Sequence, residues 1–587
     1  MYKSVSRQAL LYGFLLKPIL ALPQTRDSNE TTFNWASIQP SSDLQYNDCY
    51  NGYKCARLEV PLDWQAANQG NGTSLKAAIA IVTLPATVRE DDPSFGGTIL
   101  VNPGGPGGSG TEFVLSEGAY LQSVVDEDKH YNILGFDPRG VGLSTPSADC
   151  YRNDFARASD AIQQGGLSPA DPDTFGLKMF YETAKGVSNL CAELGPESIF
   201  PYMATASVAR DMLEIVERVD ELEKKTFKCR RSQNTDELPK LQYLGFSYGS
   251  FLGNSFASLF PGRVGRMVID GVVDADDYIQ THMGKALLDA EKVLDTFYET
   301  CYDAGSSCLL REDTDKNAKD IRNKVDLLIK SLDDDPVSIV YQGRVRHITS
   351  HTVRDVLRQM LYQPIVMYEP ASQLLALALT GNFTGFMQTP ASLANSIELA
   401  EMCVNPGASY PPSDLALNNE AGYGTFCSDT YIDPDLRNAT WANNIAKAIV
   451  GHSPTLAESW TRVITACSGW KYDAKYAFRG PFGAPGPDKT GKNKDTPSAP
   501  LLILSNRYDH ATPLSSAYVT SQQHGDSAVI VQEASGHCAL LVSSSKCVKD
   551  HVATYFATGV VPANNTVCQP DCKPGIPYKE CPGFVSS

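Results

Sequence analysis

Residues 243–249 read Y-L-G-F-S-Y-G, an apolar run that passes straight into G-x-S-x-G around Ser247. A serine in that setting is a candidate nucleophile. The spacing demands a sharp reversal from strand to helix, which Gly245 and Gly249 permit because they carry no Cβ. The turn lifts the hydroxyl above the sheet at a helix N-terminus, where backbone amides favour developing negative charge. The motif alone is common. Here an apolar strand precedes it, a helical run (250–259) follows it, and Phe260-Pro261-Gly262 then breaks the helix. Acyl transfer through a covalent intermediate is the chemistry open to such a serine, and it needs a base, an acid behind the base and two N–H donors for the oxyanion.

One donor is expected from the amide of Tyr248, directly after the nucleophile. The other is expected from T-I-L-V-N-P-G-G-P-G-G-S-G (98–110), where a buried strand enters a glycine-rich turn. Gly105 is the preferred donor there, with Gly104 next. The same glycines could cradle a phosphate, but the Lys-Ser/Thr of a P-loop is missing. The acid and base should follow the serine in the order Ser, Asp, His. The apolar run 500–505 ends in N-R-Y-D-H-A-T-P, placing Asp509 just past a strand end; the next strand leads into E-A-S-G-H-C and His537. His537 would then take the proton from Ser247, with Asp509 holding its tautomer. Asp270 and Asp274, after the strand that follows the elbow, could serve as the acid in a variant arrangement. Asp509 is preferred because it precedes the histidine by one strand unit. His510 shares the acid's turn and reads as structural. His347 and His351 have i, i+4 spacing, but Thr349 and Ser350 read as a helix cap between them and no third ligand is in view. No metal and no cofactor are expected.

The elements that must position these groups follow from hydrophobic pattern. Short β-branched runs at 57–62, 77–84, 98–101 and 131–136, the later ones separated by helical pattern, predict βα units on a mostly parallel sheet. An amphipathic helix is predicted over 205–225, with Val208, Met212, Ile215, Val216, Val219 and Leu222 on one face. Two buried-type strands, 241–245 and 267–270, flank the helix after Ser247. From about 276 to 497 helical pattern dominates, as at 285–302, 318–332 and 352–362, and the Gly/Pro/Lys-rich stretch 480–497 reads as a linker. The simplest organisation is an α/β core in two parts, 45–275 and 498–560, a mainly helical cap inserted at 276–497, and a Cys-containing tail at 561–587.

The chain has 587 residues and a formal net charge of −17, which argues against a nucleic-acid partner because phosphate binding needs a basic face. Residues 1–22 carry Lys3 and Arg7, then an apolar run over 9–16 and Ile19-Leu20-Ala21 as an exit, and read as a signal peptide interrupted by Lys17 and Pro18. No later stretch is apolar enough to span a bilayer, so no membrane anchor is expected. Fifteen cysteines support an oxidising, extracellular destination, and no Cys/His cluster shows zinc spacing. Sequons begin at Asn29, Asn71, Asn382, Asn438 and Asn564, consistent with glycosylation.

With those residues in hand, the chain resembles the secreted tripeptidyl/prolyl aminopeptidase branch of the α/β-hydrolases, from about Cys49 to Asp550. The points of contact are C-A-R-L-E-V-P-L-D-W (55–64), N-P-G-G-P-G-G-S-G (102–110), D-P-R-G-V-G-L-S (137–144), G-F-S-Y-G-S (245–250), V-I-D-G-V-V-D (268–274), and P-L-L-I-L-S-N-R-Y-D-H-A-T-P with G-H-C. The resemblance implies an α/β-hydrolase fold and a cofactor-free exopeptidase acting on peptides with a free N-terminus, with Ser247, Asp509 and His537 in the triad roles. It also implies disulfides joining Cys49 to Cys55, Cys150 to Cys191, Cys427 to Cys467, and Cys538 to Cys547, the last bracing the His537 loop. Spacing alone adds Cys301 to Cys308. The insertion 229–240 and the tail are extra, and 402–431 matches loosely. An aminopeptidase needs an anion for the substrate ammonium, for which Glu398, Glu401 and Asp429 are cap candidates. Two competing readings remain: a carboxylic ester hydrolase on the same scaffold, and a catalytically inactive binding protein, which predicts a missing triad member where none is missing.

Overall fold

Strands apolar on both faces belong inside a sheet covered from both sides, and that is where the computed structural model places the ones that carry the motifs. It describes residues 33–70, 75–164, 172–226, 238–281, 284–389, 419–431, 437–490, 493–575 and 581. The leader-like segment, the sequons at Asn29 and Asn71, Cys229, Cys403, Glu398, Glu401 and most of the 229–240 insertion lie outside these residues.

Ten strands form one sheet: β1 (Asn47–Cys49), β2 (Tyr53–Pro61), β3 (Lys76–Leu84), β4 (Phe95–Asn102), β5 (His130–Phe136), β6 (Leu241–Phe246), β7 (Val264–Asp270), β10 (Leu502–Tyr508), β11 (Ala528–Ser535) and β12 (Thr566–Cys568). Their spatial order is β1-β2-β3-β5-β4-β6-β7-β10-β11-β12. The first three pair antiparallel with one another and onto β5, and every later pair is parallel. This is the α/β-hydrolase architecture. Side chains alternate between faces with period two: Ile99, Val101, Leu244, Phe246, Leu502 and Leu504 fall in one buried cluster, while Leu100, Tyr243, Ile269 and Ile503 fall in the other.

The chain direction reverses at β4, whose neighbours β5 and β6 lie on opposite sides, and a crevice opens at such a point beyond the carboxyl ends of the strands. Register brings Asn102 beside Gly245 and Phe246 beside Asp270. The ends of β4, β6, β7, β10 and β11 therefore stand in a row along one rim.

Between β7 and β10 the described residues add no strand to this sheet. It forms helices that include Ala290–Asp303, Ala318–Asp334, Ser350–Tyr362, Asn419–Asp429 and Ala457–Thr465. It also forms a hairpin of β8 (Val337–Tyr341) and β9 (Arg344–Ile348), absent from the helical expectation. Alternation in V-S-I-V-Y and a Gln342-Gly343 turn with φ of 50° and 73° explain it, since a two-residue hairpin turn of this kind needs positive φ at both positions.

Three expectations need correction. The stretch expected as a linker is packed: Phe482 is buried and Ala484 bridges to His524. The tail is more than a stapled extension, because β12 pairs in parallel with β11 as the sheet's last strand. Finally, Cys538 does not pair with Cys547. Cys49–Cys55, Cys150–Cys191, Cys301–Cys308 and Cys427–Cys467 form as expected, but Cys547 joins Cys568 and Cys572 joins Cys581. Cys538 is a buried free thiol turned inward toward the Asp270 carbonyl, whereas the Lys546–Thr558 helix holds Cys547 next to β12. No helix among the described residues is long and apolar enough to cross a membrane.

Candidate active site

Ser247 has φ of 54° and ψ of −123°, a conformation L-residues avoid, and caps the helix Tyr248–Leu259. Close approach explains the surrounding glycines. A Cβ on Gly249 would lie 2.8 Å from the Asn102 carbonyl, and one on Gly104 would lie 2.8 Å from the Ser247 Cβ. The glycine loop and the elbow are thus packed backbone to side chain. Asn102 accepts the Gly104 amide at 3.0 Å, and Asp137 of the D-P-R-G motif accepts Ser109 Oγ at 2.7 Å and the Thr111 amide at 3.0 Å, which seats the helix that follows the loop.

At the neighbouring strand ends the structure brings Asp509 and His537 together. His537 Nδ1 lies 3.0 Å from both carboxylate oxygens. Asp509 also accepts the amides of Ala511 and Thr512 at 2.9 Å, the Thr512 hydroxyl at 2.7 Å and the Cys538 amide at 3.1 Å. Burial by itself would raise this carboxyl, but the His537 charge and hydrogen bond outweigh it and hold it at about 2. The Thr512 hydroxyl lies 3.1 Å from His537 Nδ1 as well. Its place, third after the acid in D-H-A-T, is the one sequence signal for it.

Ser247 meets the histidine segment over the end of β7. Its amide donates to the Asp270 carbonyl at 3.0 Å, and Cys538 Sγ lies 3.6 Å from that same oxygen. Ser247 is 7% exposed, His537 4% and Asp509 0%. Asp270, weighed as a variant acid, faces the amides of Ala539 and Leu540 instead of the imidazole. Asp274 is engaged as the cap of the helix Ala275–Ile279 and by Lys285 at 2.9 Å. His510 is buried with both ring nitrogens unpartnered and packs on the ring of Tyr362, whose other neighbour is His537; burial pushes His510 down to about 3.

A cleft opens beside the serine, lined among others by Gly105, Ser247, Tyr248, Asp274, Asp277 and Trp460. Trp460 comes from the helix Ala457–Thr465, between β7 and β10. Asp429, expected to receive an ammonium, is instead fully buried and saturated, accepting the Thr205 amide at 2.7 Å and its hydroxyl at 2.6 Å. Burial raises it to about 7 against those two hydrogen bonds. The carboxylates that do reach the cavity are Asp274 and Asp277, which pattern reading did not single out for this task. His347 and His351 bond separately to Ser338 and Glu458. Cys547, His551 and Cys568 converge within 4.8 Å, although sequence spacing showed no such cluster, but the two sulfurs are joined to each other.

Residues 453–568, which carry the acid and the histidine, match the family described as TAP-like protein. Over 531 residues the chain is 26% identical to a tripeptidyl aminopeptidase of Streptomyces coelicolor, covering 89% of this chain and 84% of that one. It is 30% identical over 239 residues to a serine protease of Mycobacterium tuberculosis, 40% of this chain and 39% of the relative. A carboxylesterase B of the same organism is 35% identical over 161 residues, 27% of this chain and 28% of the relative. A solved hydrolase structure from Pseudomonas aeruginosa covers 83% of this chain and 96% of its own at 12% identity and a TM-score of 0.29, a likeness too loose to add to the topology.

Proposed function

We propose that this chain, which is similar over most of its length to a tripeptidyl aminopeptidase and matches the TAP-like family near its C-terminal end, is a serine hydrolase that releases short N-terminal fragments from peptides whose amino end is free, with Ser247 as the nucleophile. His537 removes the hydroxyl proton as Ser247 attacks the scissile carbonyl, and Asp509 orients and stabilises the imidazolium. The amides of Gly105 and Tyr248 receive the oxyanion. His537 then protonates the leaving amine, and a water activated by the same imidazole clears the acyl-enzyme. The observation that carries this reading is the strained Ser247 backbone one strand-end away from a buried Asp509–His537 pair.

The amino-terminal preference draws on the likeness to a tripeptidyl aminopeptidase over most of both chains, and on Asp274 and Asp277 in the wall of the cleft, as acidic groups for a substrate ammonium. The cap over 276–497 limits entry to extended or short chains. The proposed export through an oxidising compartment is supported by the six disulfides among the described residues and by the exposure of the sequon asparagines Asn382, Asn438 and Asn564.

Ester hydrolysis is the second reading, favoured by the likeness to carboxylesterase B. A tripeptidyl anilide with a free amine, its N-acetylated form and a simple aryl ester separate the two. The peptidase reading expects the free-amine anilide to be cleaved at least tenfold faster than the blocked one, the order of one lost charged hydrogen bond. Equal rates, or turnover confined to the ester, overturn it.

A further inference from the structure

Asp270 ends β7 between the elbow and the histidine loop, and no chemical step uses it. Its side chain is 0% exposed, where a carboxylate persists only if its oxygens are satisfied. One oxygen accepts the Ala539 amide at 2.7 Å and the other accepts the Leu540 amide at 2.8 Å. Those amides open the short helix Ala539–Val542, which starts two residues after His537. At its other end the same residue's carbonyl accepts the Ser247 amide at 3.0 Å. One residue is therefore bonded to the backbone of the nucleophile and to the loop of the base. The space between leaves no slack: a Cβ on Gly271 would lie 2.5 Å from Cys538 Sγ. The loop is also held by the Asp509 carboxylate, which accepts the Cys538 amide at 3.1 Å, and by Asn506 Nδ2, which donates to the carbonyls of Gly536 at 2.9 Å and Cys538 at 3.0 Å.

We propose that Asp270 is a positioning residue, whose ionised carboxylate holds the His537 loop at the distance from Ser247 that proton transfer requires. This rests on the assignment of Ser247 and His537 made above. An ionised carboxylate offers acceptors to both amides. Once protonated, it turns an O–H toward one of them, donor against donor, and the loop is released at that point. Proton transfer tolerates little of this, because a displacement of about 1 Å costs on the order of a hundredfold in rate.

The charged and titratable groups facing Asp270 are Asp509 on the turn after β10, His537 and Cys538 on the loop itself, and Tyr120 on the helix Gly110–Val125, whose hydroxyl donates to the Leu540 carbonyl at 2.6 Å. Burial pushes Asp270 up to about 6; the Ala539 and Leu540 amides pull it down, the Asp509 charge adds to the rise and His537 opposes it. Burial also keeps the Cys538 thiol and the Tyr120 phenol neutral. As the pH falls below neutrality, protonation of Asp270 accordingly releases the loop, in addition to the loss that any general base shows once it is protonated.

The test is the pH profile of kcat/KM for the wild type, Asp270→Asn and Ser247→Ala on a cleaved peptide, with circular dichroism marking the range in which each stays folded. The wild-type acid limb is expected to approach a slope of two on logarithmic axes. Asp270→Asn is expected to keep KM within about twofold, to lose roughly tenfold to a hundredfold in kcat, and to show an acid limb of slope one. A wild-type slope of one, or an Asn variant with wild-type kcat, overturns the inference. The slope is read on unaltered protein, so a variant that fails to fold leaves the test standing. Ser247→Ala separates the two levels: if it is inactive while Asp270→Asn is normal, only the positioning role falls, whereas if it keeps activity the catalytic assignment falls too.

Discussion

Asp509 receives five kinds of hydrogen bond at once, from His537, Thr512 Oγ1 and the amides of Ala511, Thr512 and Cys538. A carboxylate so supplied is rigid, and it fixes which imidazole nitrogen carries the proton. Asp509→Asn presents an N–H toward that nitrogen and stabilises the wrong tautomer. The variant is expected to lose about 10³- to 10⁴-fold in kcat with KM little changed, as read by steady-state kinetics on a free-amine anilide. The same bonds act on stability. Asp509 is lowered from its ordinary 3.8 to about 2, so the folded state binds fewer protons than the unfolded chain between those values. Its contribution is complete above about pH 4 and is lost as the pH falls toward 2. Acid unfolding of Asp509→Asn is then expected to be shallower across that window than that of the wild type. Asp429 has the opposite sign: its carboxyl is raised to about 7 by burial, so its charge costs stability as the pH rises toward neutrality.

At the scale of elements, the strand–elbow–helix unit and the strands carrying Asp509 and His537 were legible because each is a continuous apolar run with glycines at forced close approaches. β12 was not. Three residues, T-V-C, hold no periodicity, and their pairing with β11 is a tertiary event. The β8–β9 hairpin carried a readable turn, but it was submerged in a region dominated by helical pattern. Cysteine spacing could not tell which of Cys538 and Cys547 turns inward; that depends on the backbone at Cys538, whose φ is 67°. The bracing expected of a disulfide on the His537 loop falls to the Asp270 carboxylate instead. The Cys547–Cys568 bond closes a loop with a separation of 21 residues and ties the tail strand to the sheet without touching the base. Cys547→Ala with Cys568→Ala is expected to lose about 2–4 kcal/mol of stability in denaturant unfolding, with kcat within twofold. An intact unfolding midpoint, or a collapse in kcat at full folding, contradicts that separation of roles.

Across the whole molecule, the proposed cap contributes to the wall of the cleft while the sheet carries the strand ends that bear Ser247, Asp509 and His537. Ser247 precedes Asp509 and His537 by more than 250 residues while those two lie 28 apart, and only the order β6-β7-β10-β11 places their strand ends side by side. That convergence could be anticipated from the order of motifs along the chain. The cap's share could not: Trp460 in the cavity wall and Tyr362 against the His537 ring come from helices whose packing no local pattern encodes. The measurement that bears most directly on the convergence is labelling with a fluorophosphonate, mapped by peptide mass spectrometry in the wild type and in His537→Ala. A single adduct on Ser247, formed at least a hundredfold more slowly in the folded His537→Ala protein, is the expected result. An adduct on another serine, or undiminished labelling without the imidazole, contradicts the account.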